Sequence, residues 1–214
     1  MRAATARWVN RTLGGPQGRG AWWVQPAAVL LCVWPGAWLL VAAFTDQLGV
    51  NPAEALIRGL GLWALKFLCL TLLVTPLRQV LGWVAVARLR RTLGLATFGY
   101  AVLHLLAYAW LDMGLYLDLI VNDVIDRPFI TVGMLSVLLM MPLAATSFNR
   151  AIRTLGPQRW QKLHRAVYAV APLAILHFYW MRDGKNDYAD VWLYGSVLAA
   201  LLGWRVWAWR QRRP

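Results

Sequence analysis

Six apolar runs, each close to the roughly 20 residues that cross a bilayer as a helix, set the pattern of the chain: 23–44, 57–77, 92–111, 129–148, 162–181 and 191–209. The breaks between them are short, polar and charged. This pattern predicts an all-α integral membrane protein, a six-helix bundle spanning residues 23–209. A basic arm (1–22) precedes it and a basic tail (210–214) follows it. Pro35-Gly36 inside the first run predicts a kink. Trp and Tyr gather near several run ends, as in an interfacial aromatic belt. One break carries a period of its own. In 115–126, Leu117, Ile120, Val121, Val124 and Ile125 recur at helical spacing, with Asp118, Asn122, Asp123 and Asp126 on the opposite face. That stripe predicts an amphipathic helix lying on the membrane surface, and its acidic face is a candidate docking surface for a partner.

Charge orients the bundle. Arg2, Arg7, Arg11 and Arg19 precede the first run, and Arg78, Arg88, Arg90 and Arg91 lie between the second and third. Arg150, Arg153, Arg159, Lys162 and Arg165 lie between or beside the fourth and fifth, and Arg205, Arg210, Arg212 and Arg213 close the chain. All nine acidic residues fall in the alternate breaks: Asp46, Glu54, Asp112, Asp118, Asp123, Asp126, Asp183, Asp187 and Asp190. The positive-inside rule then places both termini in the cytoplasm. It also explains the net charge of +13 without nucleic acid. The arm, with Gly14, Gly15, Gly18 and Gly20, reads as cytosolic. A cleaved signal peptide is disfavoured, because the apolar run that follows is long and lacks a small-residue cleavage site.

Composition agrees. The 214 residues are 60% hydrophobic and 14% charged, against about 25% charged in a soluble domain, and the mean hydropathy is +0.50. Little is left for a separate soluble domain. Cys32 and Cys69 both lie in apolar runs and form no CxxC or disulfide pattern. There is no Walker motif, no internal repeat, and no intramembrane carboxylate pair of the kind a proton pump uses.

The candidate chemistry rests on three histidines, His104, His164 and His177. Ionisable groups within a bilayer are costly and face the bundle interior, although a single one often does no more than hydrogen-bond two helices. Position discriminates. With both termini inside, the third and fifth runs point the same way, so His104 and His177 share a depth in the outer half. That arrangement suits the two axial ligands of one haem. His164 stands 13 residues before His177, roughly 20 Å along a continuous helix and about 140° away in phase, with Pro172 between them. Opposite His164 the third run offers Arg90 and Arg91, not histidine. That inner end is a candidate for a second haem with a weak partner, or for a quinone or flavin pocket. Lys66 and Arg78 are candidate partners for haem propionates, while Met134, Met140 and Met141 read as packing residues.

The segments LKFLCLTLLVTPLR (65–78), RRTLGLATFGYAVLHLLAY (90–108), RPFITVG (127–133) and LGPQRWQKLHRAVYAVAPLAILHFYW (155–180) resemble the MsrQ (formerly YedZ) family, within the ferric-reductase-like transmembrane group. The resemblance implies a bacterial inner-membrane b-type cytochrome with six helices and one or two haems, and an association with FMN. Its implied donor is the quinone pool or a cytosolic flavin reductase. Its implied acceptor is the periplasmic molybdopterin subunit MsrP, which repairs methionine sulfoxide in oxidised proteins. All three family histidines have counterparts in His104, His164 and His177, and the arginine pair has one in Arg90-Arg91. On this reading the chain has no catalytic residue of its own. It ends five residues after Trp209, so the flavin and nicotinamide domain of a full ferric reductase is expected on a separate donor. A stand-alone ferric or other transmembrane reductase, and a non-redox structural or sensor protein whose histidines only pack helices, are the alternatives.

Overall fold

The computed structural model describes residues 2–12, 22–183 and 186–211. Among the described residues there are ten α-helices and no strand. They are α1 (Arg2–Thr12), α2 (Val24–Phe44), α3 (Pro52–Val80), α4 (Leu89–Ala107), α5 (Leu117–Asp126), α6 (Pro128–Ala145), α7 (Asn149–Leu155), α8 (Pro157–His164), α9 (Val167–Arg182) and α10 (Ala189–Arg210). A 3-10 turn (Val84–Arg88) leads into α4 and a π-helical turn (Tyr108–Asp112) continues it. Among the described residues, five stretches are long and apolar enough to cross a membrane: Val24–Phe44, Pro52–Val80, Val84–Asp112, Pro128–Ala145 and Ala189–Arg210. The glycine patch at 14–20, Arg19, Arg212 and Arg213 lie outside the described residues.

The fifth predicted span departs from expectation. The run 162–181 is not one helix. It divides into α8 and α9, and at the join Arg165, Ala166, Tyr168 and Ala169 each bond to the carbonyl three residues back, the tighter 3-10 pattern. The physical reason lies in composition. The segment PQRWQKLH of α8 is polar and basic and belongs at the water interface, whereas VYAVAPLAILHFYW is apolar. Helix α9 keeps 16 residues, about 24 Å at 1.5 Å per residue. This break also removes the premise of the axial separation and phase difference computed for His164 and His177.

The described part of the N-terminal arm is helical. Helix α1 lies on the turn between α3 and α4, where the Asn10 amide donates to the Gly82 carbonyl (2.9 Å) and accepts from the Ala85 N–H (3.1 Å).

Two irregularities in the spanning helices are repaired by side chains from neighbours. At Pro35-Gly36 the Tyr100 hydroxyl enters the backbone ladder of α2. It accepts from the Gly36 N–H (2.6 Å) and donates to the Cys32 carbonyl (2.8 Å), which an uninterrupted helix would have bonded to each other. Only glycine leaves room, since a Cβ at position 36 would sit 2.8 Å from that hydroxyl. In α3, Pro76 has no N–H to offer the Leu72 carbonyl one turn earlier. The Arg205 guanidinium of α10 donates to that carbonyl instead and also to the Leu201 carbonyl (2.8 Å), with Tyr168 packed beneath it at 5.5 Å. Arg205 therefore belongs to the bundle interior, although its place in the sequence counts it with the cytoplasmic charges.

The most extensive helix pairings are α3 with α4 and α6 with α9. The main core gathers Leu65, Leu68, Leu72, Met140, Val170 and Leu198 from α3, α6, α9 and α10. A second cluster seats α2 on α3 and α4 through Leu39, Leu60, Phe67 and Tyr100. Cys32 and Cys69 are free and buried.

Candidate cofactor site

His104 on α4 and His177 on α9 face a common cavity of about 450 Å³ enclosed by α3, α4, α6 and α9. Their ring centres are 6.0 Å apart and their planes cross at 82°. Each ring is pinned the same way. His104 Nδ1 lies 2.7 Å from the Ile57 carbonyl of α3, and His177 Nδ1 lies 2.7 Å from the Phe129 carbonyl at the start of α6. A carbonyl only accepts, so Nδ1 carries the proton in both rings and Nε2 keeps its lone pair for another use.

The two halves of the site match. In each, an imidazole donates to a carbonyl 47 or 48 residues earlier in the chain, and four residues after that carbonyl comes a glycine against the ring. A Cβ on Gly61 would approach His104 to 3.1 Å, and one on Gly133 would approach His177 to 2.7 Å. The matching contacts join α4 to α3 in one half and α9 to α6 in the other.

The geometry fits a haem. Two imidazoles each bound through one nitrogen at about 2.0 Å to a single ion would have ring centres roughly 6 Å apart. Among the described residues no three His, Cys, Asp or Glu side chains gather around a common point. A two-histidine site therefore suits a metal that arrives with its remaining ligands on a macrocycle. The walls are mainly apolar and include Ala101, Val170 and Ala174.

Three arginines missed by sequence reasoning line the cavity: Arg58, Arg127 and Arg182. Each has an acidic neighbour. Arg58 pairs with Glu54 (2.5 Å), Arg127 with Asp123 (2.8 Å), and Arg182 with Asp187 (3.0 Å) and Asp190 (3.9 Å). The Arg182 Nε is buried and unpaired. A signal was present in the sequence, since these are three of the few basic residues that fall on the acidic side of the bundle. Lys66, by contrast, lies over the Trp63 ring at 4.3 Å and does not line the cavity, nor does Arg78, which is exposed near the end of α3.

The remaining candidates separate into two regions. His164 is apart from the cavity. Its ring stacks on Trp160 at 4.0 Å, its Nε2 lies 3.1 Å from Thr146 Oγ1, and the Trp160 indole donates to the Thr146 carbonyl (2.9 Å). Arg90 and Arg91 are exposed at the start of α4, and Arg91 donates to the Asn149 side chain (3.0 Å). On α5, Asp118 and Asp126 are exposed. Asp123 is not: its side chain is 11% exposed and accepts from Tyr108 (2.6 Å) as well as pairing with Arg127. It latches α5 to the end of α4. Met134 and Met140 line the cavity, whereas Met141 faces outward.

The description "ferric reductase like transmembrane component" matches residues 60–175. A protein-methionine-sulfoxide reductase heme-binding subunit MsrQ of Polaromonas naphthalenivorans is 53% identical over 194 residues, 89% of each chain. The protein of that name from Azospira oryzae is 51% identical over 86% of this chain and 78% of its own. That from Ralstonia nicotianae is 49% identical over 89% and 88%. No solved structure matches.

Proposed function

The chain belongs to the MsrQ heme-binding subunits within the ferric-reductase-like transmembrane family, and from that premise we propose that it carries electrons across the bacterial inner membrane to a periplasmic MsrP-type molybdopterin reductase. The observation that carries the reading is the pair of imidazoles, His104 and His177, 6.0 Å apart with both Nδ1 protons committed to backbone carbonyls. Bound between them, a haem b supplies a one-electron couple.

The chain's own residues do the rest. His104 and His177 would hold the haem iron through their Nε2 atoms, and a group held by two imidazoles would supply electron transfer rather than oxygen or substrate chemistry. Arg58, Arg127 and Arg182 are the better partners for the haem carboxylates than Lys66 or Arg78, because they line the cavity. Reducing a sulfoxide to a thioether and water takes two electrons and two protons, so such a carrier delivers twice for each methionine repaired by its partner.

The charge pattern supports six passes with α9 as the short fifth, and with both termini cytoplasmic. His164, held by Trp160 and Thr146 with Arg90 and Arg91 at the start of α4, is the inner candidate for quinone, flavin or a second haem. The donor is then the quinone pool or a cytosolic flavin reductase. The exposed carboxylates of α5, Asp118 and Asp126, are the docking candidates, with Asp123 serving the fold.

The decisive test mixes the reduced, purified protein with MsrP and methionine sulfoxide. The haem bands should return to the oxidised form only when all components are present. Persistence of the reduced spectrum would remove the proposed acceptor. Reversing Asp118 and Asp126 to lysine should slow that reoxidation several-fold and steepen no other step; an unchanged rate would exclude the α5 surface. Pyridine-haemochrome analysis of wild type and His164→Ala completes the picture. One haem in both is expected if His164 serves a quinone or flavin, whereas a drop from two to one would make it a haem ligand.

A further inference from the structure

We propose that Gly61 and Gly133 are positioning residues that set the ring planes and donor strength of the two histidines, a proposal that rests on the axial-ligand reading of His104 and His177. The two glycines occupy equivalent places. Gly61 lies one turn beyond Ile57 on α3, and Gly133 one turn beyond Phe129 on α6. In each case the ring rests against the glycine while its Nδ1 reaches the carbonyl one turn earlier at 2.7 Å. A side chain at position 133 would press into the ring itself, and one at position 61 would crowd it.

The clearances are unequal. At position 133 a Cβ would come within 2.7 Å of His177 Nδ1 and 2.9 Å of Cε1. Neither distance is tolerable, and the nearest atom is the hydrogen-bonding one, so the ring must turn or slide off the Phe129 carbonyl. At position 61 the nearest approach is 3.1 Å, to Cε1 and Nδ1 of His104, and a displacement of a few tenths of an ångström relieves it. The helix carrying each glycine is pinned by bundle packing, which leaves the ring to move.

Two properties depend on these slots. A ligating imidazole that donates its other N–H to a carbonyl is a stronger donor to the metal, which favours the ferric state. The crossing angle of 82° places the two ring planes almost perpendicular, and the ferric low-spin signal of such a pair is strongly anisotropic with one dominant low-field feature. Parallel planes instead produce a rhombic three-line spectrum.

The test is electron paramagnetic resonance and redox titration of the purified, haem-loaded membrane protein. Wild type should show the anisotropic signal. Gly133→Ala should change that signal and raise the midpoint potential, and Gly61→Ala should do the same to a smaller extent. Gly99→Ala and Gly203→Ala, where a Cβ meets nothing within 4 Å, should match wild type. A Gly133→Ala protein with wild-type signal and midpoint overturns the proposal. Should that variant fail to fold or to retain haem, Gly61→Ala decides in the same terms: an altered signal supports the slot, a wild-type one rejects it. A wild-type protein with no bis-imidazole signal at all refutes the ligand reading instead, so the two failures are distinct.

Discussion

His177→Ala is expected to lose the haem of the outer site completely, and His104→Ala to do the same. Neither ring has a substitute, because the third histidine lies outside the cavity, stacked on Trp160. Truncating either ring would remove one of the two proposed ligands, and it leaves the Ile57 or Phe129 carbonyl without its side-chain donor. The Soret and α bands should vanish or fall to the level of any independent inner haem. Helical circular dichroism should stay close to wild type, since each half of the site is packed by its own helix pair. Imidazole added at millimolar concentration should restore part of the absorbance by entering the vacated space. Undiminished bands in both variants would sink the assignment and favour histidines that serve only helix packing.

The second large effect concerns stability. Arg205→Leu leaves the Leu72 carbonyl unpaired in an apolar interior, because Pro76 supplies no N–H. Within a bilayer such a group finds no water, and its cost is several kcal/mol, against about 1–3 kcal/mol in soluble proteins. The diagnostic is the partner substitution. Pro76→Ala returns an N–H to the helix ladder, so Arg205→Leu should cost much less in that background. The coupling in a double-mutant cycle should exceed about 1 kcal/mol, read from thermal or denaturant unfolding in detergent. Strictly additive effects would mean that Arg205 acts through its charge or its packing on Tyr168 rather than as the missing donor.

These two cases show which features reach the surface of the sequence. Hydropathy and charge are properties of single positions summed over a window, so the all-helical class and five of the apolar spanning helices could be read directly, whereas the extent of the fifth predicted run could not. The depth argument that paired His104 with His177 uses the same information, and the structure brings their rings together. The amphipathic helix at 117–126 was legible from its period, and the irregularity at Pro35-Gly36 from its proline.

What stayed hidden depends on contacts between distant segments. Asp123 reads as one more surface carboxylate until Tyr108 and Arg127 close on it. Arg205 reads as a cytoplasmic charge until it meets a carbonyl orphaned 133 residues earlier. The run 162–181 reads as one helix because its polar head and apolar body are adjacent, and only the packing of Trp160 and His164 on Thr146 shows where one helix stops and the next begins.

The sequence by itself determined that this chain is a helical membrane protein with one acidic side, one basic side and three histidines in or beside its apolar runs. The tertiary structure decided which two histidines share a cavity, which nitrogen of each keeps its lone pair, and which arginines line that cavity. Those outcomes turn on backbone carbonyls and glycine clearances contributed by other helices, and neither leaves a mark on composition or periodicity.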